Sequence, residues 1–178
     1  MKRVLLPVLA AGLTTLAGTG HAADGTINFT GSVIGTTCNI SINGTAAPAG
    51  ATVTLAPATE SDLDAPGKTA VPTPFDMMLT GCASTGKVSA YFESGPGVSG
   101  GLVVNTGTAT NVSLMVYDNA VGAGNFIPLG AVDQDDTTRV NIVGGNATLK
   151  YGVKYIAIGG AATVGSVKGA VTYHILYE

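Results

Sequence analysis

The sequence contains no tryptophan, only two cysteines and two histidines, and charged residues make up 11% of the chain. So little histidine and cysteine leaves scant material for a catalytic site or a metal centre. The sequence patterns typical of serine hydrolases, zinc proteases and phosphate-binding loops do not occur in it. We therefore expect a protein that is not an enzyme and that uses no cofactor or metal.

The first 22 residues have the pattern of a secretory signal peptide. Lys2 and Arg3 give a positive start, Val4–Leu16 is a short apolar stretch, and small residues precede a cleavage point after Ala22. No later segment approaches the run of about 18 apolar residues that a membrane-spanning helix needs. We expect export of the chain without a transmembrane anchor.

The rest of the chain is acidic and poor in charge. Without Lys2 and Arg3 it holds six basic against eleven acidic residues, a net charge of −5. Such a balance gives no basic patch for nucleic acid or anionic lipid, so neither is an expected partner. Glycine, alanine, threonine and valine dominate the composition, which suits a tightly packed β-protein.

The two cysteines, Cys38 and Cys82, are predicted to form one structural disulfide. A signal peptide implies an oxidising compartment, where such a pair is stable. The competing interpretation is a metal or redox pair, but neither cysteine lies in a C-x-x-C motif and no histidine is nearby. Closing a loop of this length stabilises a fold by roughly 4 kcal/mol in the chain-entropy model.

Short segments of alternating apolar residues, separated by glycine-rich turns, predict an all-β fold without an amphipathic helix. About ten strands at this spacing favour an immunoglobulin-like β-sandwich. Residues 59–73 contain proline and polar residues, and we expect them to be mostly loop. The predicted strands are Ile27–Ile42, Ala51–Leu55, Pro74–Cys82, Lys87–Glu93, Leu102–Asn105, Asn111–Tyr117, Phe126–Leu129, Thr138–Val143, Thr148–Ile158 and Val167–Tyr177.

The two ends of the processed chain are both strand-like. Gly25–Val33 alternates, with apolar residues at positions 27, 29 and 33, and has no evident partner in its own domain. At the other end, one face of the last strand carries Val171, Tyr173, Ile175 and Tyr177. A free, apolar, strand-forming end is an aggregation hazard unless it inserts into something. The terminal strand is expected to border the place where a further strand is missing.

Four segments, in this order, resemble subunits of chaperone–usher fimbriae, above all the major rod pilins of type 1 and related fimbriae. Each motif is weak alone, but together with the signal peptide they span nearly all of the processed chain. The segments are Gly25–Val33 followed by Cys38, Pro74–Cys82, Ala109–Val116 and Thr172–Glu178.

The resemblance implies an incomplete immunoglobulin-like β-sandwich that lacks its last strand and is completed in trans by a donor strand. Residues 1–22 would be the signal peptide, 23–35 the donor extension and 36–178 the pilin domain. Gly25, Ile27 and Phe29 would form the donor strand. The acceptor groove and chaperone contact would involve Tyr173, Ile175, Tyr177 and Glu178.

The implied function is a structural subunit that polymerises by donor-strand exchange into an adhesive fibre on the bacterial surface, after passage through the periplasm. The implied partners are neighbouring subunits, a periplasmic chaperone and an outer-membrane usher, with host glycan contacted through a separate tip adhesin. After the expected cleavage behind Ala22, only Ala23 and Asp24 precede Gly25, fewer residues than in the rod pilins of the type 1 archetype. This departure leaves the number of inserting side chains open.

Two alternatives remain at this point: a minor adaptor or tip subunit, and a small secreted carbohydrate-binding β-sandwich.

Two polar features are interpreted as structural. The run Asp133–Asp136 lacks the glycine and distal glutamate of a helical calcium-binding loop, and we expect a solvated acidic turn. His174 is expected to be a half-exposed histidine on a strand.

Overall fold

A computed structural model of the chain describes residues 38–47, 50–83, 85–120, 124–134 and 137–178. The predicted signal peptide lies outside the described residues. So do Gly25, Ile27 and Phe29, the predicted donor residues, and so do Asp135 and Asp136 of the predicted acidic turn.

The described residues form eleven β-strands and one 3₁₀ turn, at Glu60–Leu63. The strands are β1 (Asn39–Ile42), β2 (Thr45–Ala46), β3 (Thr69–Thr80), β4 (Lys87–Phe92), β5 (Val98–Ser99), β6 (Leu102–Val104), β7 (Val112–Asp118), β8 (Asn125–Phe126), β9 (Val140–Asn141), β10 (Ala147–Ala157) and β11 (Tyr173–Tyr177).

The larger sheet has the order β2-β1-β3-β10-β7-β6-β5, and β8 pairs with β7. Its two longest strands, β3 and β10, are antiparallel, with Phe75 opposite Tyr151 and Leu79 opposite Ala147. Along β3, Phe75, Met77 and Leu79 are buried, whereas the residues between them are exposed. This period of two places one face of the sheet on a hydrophobic core.

The smaller sheet has the order β11-β4-β9, and all its pairs are antiparallel. Val88, Ala90 and Phe92 of β4 are buried in the same core as Met77 and Leu149 of the larger sheet. The two sheets therefore pack face to face, as the predicted β-sandwich requires.

Cys38 and Cys82 form the predicted disulfide, which links the residue before β1 to the second residue after β3. β1 and β3 are already paired, with Asn39 opposite Thr80. The covalent bond therefore closes the end of an existing ladder, and a sequence separation of 44 residues makes it a long loop constraint.

Three of the differences between the predicted and observed strand boundaries span five or six residues. The strand β3 begins at Thr69, inside the segment expected to be loop. Its two prolines are tolerated because β1 pairs only with Met77–Thr80, so Pro72 and Pro74 have a single strand neighbour among the described residues. A register shift and a left-handed Val71, with φ of 52°, separate Thr69 and Ala70 from the rest of the strand.

The other two differences are segments that are not assigned as strands. Residues 51–55 are not in a β-ladder although their burial alternates. The last strand begins at Tyr173, and residues 167–172 do not belong to it. Both segments lie beside the site described below.

The described residues include no helix of the length and apolar character that crossing a membrane would require.

The core predicts a measurable difference between two aliphatic positions. Leu149 is 1% exposed, whereas Val132 is 92% exposed. We expect Leu149→Ala to lower the free energy of unfolding by about 2–5 kcal/mol, because a cavity replaces buried methyl groups. Val132→Ala should change it by less than about 0.5 kcal/mol. Urea unfolding of the processed chain measures both, and equal effects would contradict the assigned core.

Candidate functional site

The last strand, β11, has one neighbour among the described residues, β4. Glu178 and Lys87 exchange both backbone hydrogen bonds, each 2.9 Å long, and Glu93 donates to the carbonyl of Thr172 at 2.9 Å. Because hydrogen-bonded pairs alternate in an antiparallel ladder, Tyr173, Ile175 and Tyr177 direct their backbone N–H and C=O groups away from β4. This edge is therefore shaped to accept another strand.

The side chains of the same three residues face the interior. Tyr173, Ile175 and Tyr177 are half-buried and pack against the main core, while His174 and Leu176 are exposed. Burial raises the pKa of Tyr173, and the Tyr177 hydroxyl accepts a hydrogen bond of 3.3 Å from the backbone of Cys38. The predicted facing of the last strand is confirmed.

A second segment, residues 51–55, also has no strand partner among the described residues. Ala51, Val53 and Leu55 are half-buried, whereas Thr52 and Thr54 are exposed. This alternation is that of a strand. However, no residue from 51 to 55 makes a backbone hydrogen bond to another described residue.

An apolar groove of about 460 Å³ lies between this segment and the stretch from Gly169 to Tyr173. Its floor is built from both sheets, since β3, β4, β6, β7 and β10 all contribute. The floor residues are Phe75, Met77, Phe92, Val103, Leu114, Val116 and Val153. We call this space the acceptor groove.

Residues 161–168, which precede the groove-lining stretch in the chain, are held by hydroxyl side chains and by isolated backbone hydrogen bonds, such as that from Ala109 to the Ser166 carbonyl at 3.1 Å, and not by a regular ladder. Thr108 and Ser166 each donate their backbone N–H to the other's hydroxyl, at 3.1 and 2.9 Å. Thr110 donates its backbone N–H to the Thr163 hydroxyl at 2.9 Å. A β-carbon at Gly165 would lie 2.4 Å from the backbone nitrogen of Ala109, so only glycine fits here.

The outer face of β11 carries a polar cluster. Glu93 accepts hydrogen bonds from the Thr172 hydroxyl at 2.8 Å and contacts the His174 ring nitrogen at 3.0 Å. These hydrogen bonds, first that of His174 and then that of Thr172, lower the pKa of Glu93. The His174 ring also packs on Tyr91, with centroids 4.9 Å apart. The cluster ties the start of β11 to the end of β4, and His174 is half-exposed as expected.

Glu178 lies at the end of the same strand. Its carboxylate accepts a hydrogen bond of 2.8 Å from Nε of Arg139, and both side chains are exposed enough for the pair to add little stability. The chain end is thus held against the edge of β4 by main-chain pairing with Lys87.

Of the predicted acceptor residues, the structure places Tyr173 in the groove lining, while Ile175, Tyr177 and Glu178 lie farther along the same edge. Sequence reasoning missed the opposite wall and the floor. The signal for the wall was present in the alternation of residues 51–55. The floor residues come from five strands, and no local pattern distinguishes them from other core residues.

The expectation for the acidic turn was wrong at one position. Gln134 is only 8% exposed, and its carboxamide forms two hydrogen bonds to the backbone of Phe92. A glutamine within an acidic run gives no sequence signal for such a role. Asp133, its neighbour, is exposed as expected.

The geometry restricts what the groove can bind. An occupant must supply apolar side chains to cover the floor, and main-chain donors and acceptors for Tyr173, Ile175 and Tyr177. An extended peptide segment with alternating apolar residues supplies both.

The comparisons with known proteins agree with this geometry. The sequence model of the type-1 fimbrial protein A family matches residues 55–178. The chain is 35% identical over 186 residues to the F17 fimbrial protein of Escherichia coli, covering 98% of this chain and 97% of that protein. It is 37% identical over 169 residues to the major fimbrial subunit SMF-1 of Stenotrophomonas maltophilia, covering 89% and 95%.

A solved structure has the same fold. A chain of a chaperone–usher pilus aligns with a TM-score of 0.61 at 21% identity, covering 91% of this chain and all of that chain. The incomplete immunoglobulin-like sandwich predicted from the sequence is thereby confirmed. The chain belongs to the type-1 fimbrial protein family, and it is a structural pilin of a chaperone–usher fimbria at the cell surface.

Proposed function

We propose that the chain polymerises by donor-strand exchange, in which residues 25–33 of one subunit enter the acceptor groove of the next. The observation that carries the proposal is the edge of β11, whose Tyr173, Ile175 and Tyr177 offer main-chain groups beside an apolar floor. Ile27 and Phe29 would cover that floor, and Gly25 would lie where the groove admits no side chain.

The length of the donor segment fits the edge. Nine extended residues, from Gly25 to Val33, span about 30 Å at the rise of a β-strand. The stretch from Gly169 to Tyr177, which borders the groove and continues as β11, also has nine residues. A donor of this length would pair along the whole edge.

The energetics favour insertion. Burial of Ile27 and Phe29 contributes about 1.5–3 kcal/mol each, and the main-chain hydrogen bonds fix the register. Because the donor and the groove are different surfaces of one chain, each subunit binds the next head to tail. A contact of this kind does not close on itself, so it produces a fibre.

The same groove explains the other proposed partners. An apolar groove with an open strand edge is an aggregation hazard during export. A periplasmic chaperone would cover it until the next donor arrives, contacting Tyr173, Ile175 and Tyr177 and holding the terminal carboxylate of Glu178 with basic residues. An outer-membrane usher would then bring subunits together, and a separate tip adhesin would contact host glycans.

A major rod subunit is favoured over an adaptor or tip subunit. The relatives described above match the chain over nearly their whole length, and one of them is named a major fimbrial subunit. A carbohydrate-binding role has no comparable support.

The donor segment is tested by paired substitutions in the processed chain. We expect Ile27→Ala together with Phe29→Ala to lower the temperature at which oligomer ladders dissociate, because about 1.5–3 kcal/mol of burial is reduced at each position. Asn28→Ala, on the opposite side of the same strand, should leave that temperature unchanged. Gel electrophoresis of samples heated in steps measures both, and unaltered ladders in the double variant would refute the donor assignment.

The groove wall is tested at two neighbouring residues. Val53 lines the acceptor groove and Thr54 faces outward. We expect Val53→Asp to abolish polymerisation, because a donor strand would bury the new carboxylate without a partner. Thr54→Asp should polymerise like the unaltered chain.

Circular dichroism and the retained disulfide show whether both groove-wall variants are folded. Polymerisation by a folded Val53→Asp variant at the normal rate would exclude this wall from the donor site.

A further inference from the structure

The strand β4 has two edges of different kinds. One edge pairs with β11 from Val88 to Phe92, whereas the other pairs with β9 only at Lys87 and Val88. Beyond Val88, the second edge has no strand beside it among the described residues. We call this edge of β4 the far edge, since it faces away from β11 and the acceptor groove.

Two side chains replace a strand at the far edge. The Tyr151 hydroxyl accepts a hydrogen bond of 3.0 Å from the backbone N–H of Ala90. Gln134 brackets Phe92, since its Oε1 accepts from the backbone N–H at 3.0 Å and its Nε2 donates to the carbonyl at 2.7 Å. These are the groups that alternate pairing directs away from β11.

Both side chains are buried: Tyr151 is 1% exposed and Gln134 is 8% exposed. Gln134 is fixed by its own loop, because Gly130 donates to the Phe92 carbonyl at 3.0 Å and Thr137 donates to the Gln134 carbonyl at 3.1 Å. The end of the loop is held by a backbone hydrogen bond from Thr138 to the buried carboxylate of Asp118.

The same two side chains support the floor of the acceptor groove. Phe92, whose backbone Gln134 holds, lines the groove together with Phe75. The Tyr151 ring packs edge-on against Phe92, with centroids 5.2 Å apart, and lies 5.9 Å from Phe75. Burial raises the pKa of Tyr151, so its hydroxyl stays protonated at physiological pH.

An empty apolar groove tends to close, because its walls gain contacts by moving together. Closure would carry β4, and with it β11, away from Gln134 and Tyr151, and it would weaken the hydrogen bonds of buried polar groups at Ala90 and Phe92. We propose that Gln134 and Tyr151 are positioning residues that brace β4 from the far edge and so keep the acceptor groove open for the donor strand. This inference rests on the proposed donor-strand exchange.

The test compares three variants of the processed chain. Tyr151→Phe keeps the ring and removes the hydroxyl, and Gln134→Met keeps the length and removes both hydrogen bonds. Thr137→Val is the matched control: Thr137 is 3% exposed, lies in the same loop, and its hydroxyl has no hydrogen-bond partner in the described structure.

The first measurement is the binding of a fluorescent peptide with the sequence of residues 25–33. If the open groove becomes a minority state, the apparent on-rate falls in proportion to its population, while the off-rate from the filled groove changes little. We expect an on-rate at least about tenfold lower in Tyr151→Phe and Gln134→Met, and within about twofold of the unaltered chain in Thr137→Val. An unchanged on-rate in both variants would overturn the proposal.

The second measurement is amide hydrogen exchange without peptide, which separates this inference from donor-strand exchange itself. The brace predicts faster exchange across β11 in both variants as well as at Ala90 and Phe92. Faster exchange at Ala90 and Phe92 alone would show a local structural role and refute the brace. If the unaltered chain takes up no peptide, donor-strand exchange fails, and the exchange at β11 still decides whether the brace exists.

Discussion

The open edge of β11 is the constraint on which the other features of the site depend. Its main-chain groups at Tyr173, Ile175 and Tyr177 require hydrogen-bond partners, and the floor beside them requires an apolar cover. A loop would satisfy the first need and a cluster of side chains the second, but only an extended amphipathic segment satisfies both. The two sheets and their shared core are therefore formed, but the sandwich still lacks the strand that would pair with β11.

The strand β4 links this open edge to the rest of the core. Its residues alternate in the direction of their main-chain groups, so the partners of one edge cannot serve the other. β11 takes one set, while β9, Tyr151 and Gln134 take the other. Side chains close the far edge beyond Val88 without adding a strand, whereas the outer edge of β11 has no strand beside it among the described residues.

The sequence predicted the elements whose signals are local. The alternation of Tyr173, Ile175 and Tyr177 was sufficient to give the facing of the last strand, and the cysteine pair with a signal peptide was sufficient for the disulfide. The all-β class followed from composition and turn spacing. The family resemblance, which depended on four segments from the ends and the middle of the chain, gave the prediction that one strand is missing.

The remainder of the site could not be predicted because it depends on pairing between distant segments. Residues 51–55 have the pattern of a strand. Whether such a segment pairs depends on what lies beside it, and these residues lie beside the acceptor groove. Gln134 was expected to be solvated because its neighbours are acidic, yet its loop turns the side chain toward Phe92. Pro72 suggested loop, but β3 has a single strand neighbour at that point among the described residues.

The stretch that precedes β11, residues 161–172, is irregular where a strand could have formed. Had residues 161–172 formed a regular strand, they would have extended β11 and used main-chain groups for pairing along the whole stretch. Instead, isolated backbone hydrogen bonds alternate with those of the Thr108, Thr163 and Ser166 hydroxyls, and Gly165 allows the backbones to approach closely. An irregular wall of this kind is fixed in place without a ladder, so the groove can be rigid on one side while its strand edge stays free for another chain.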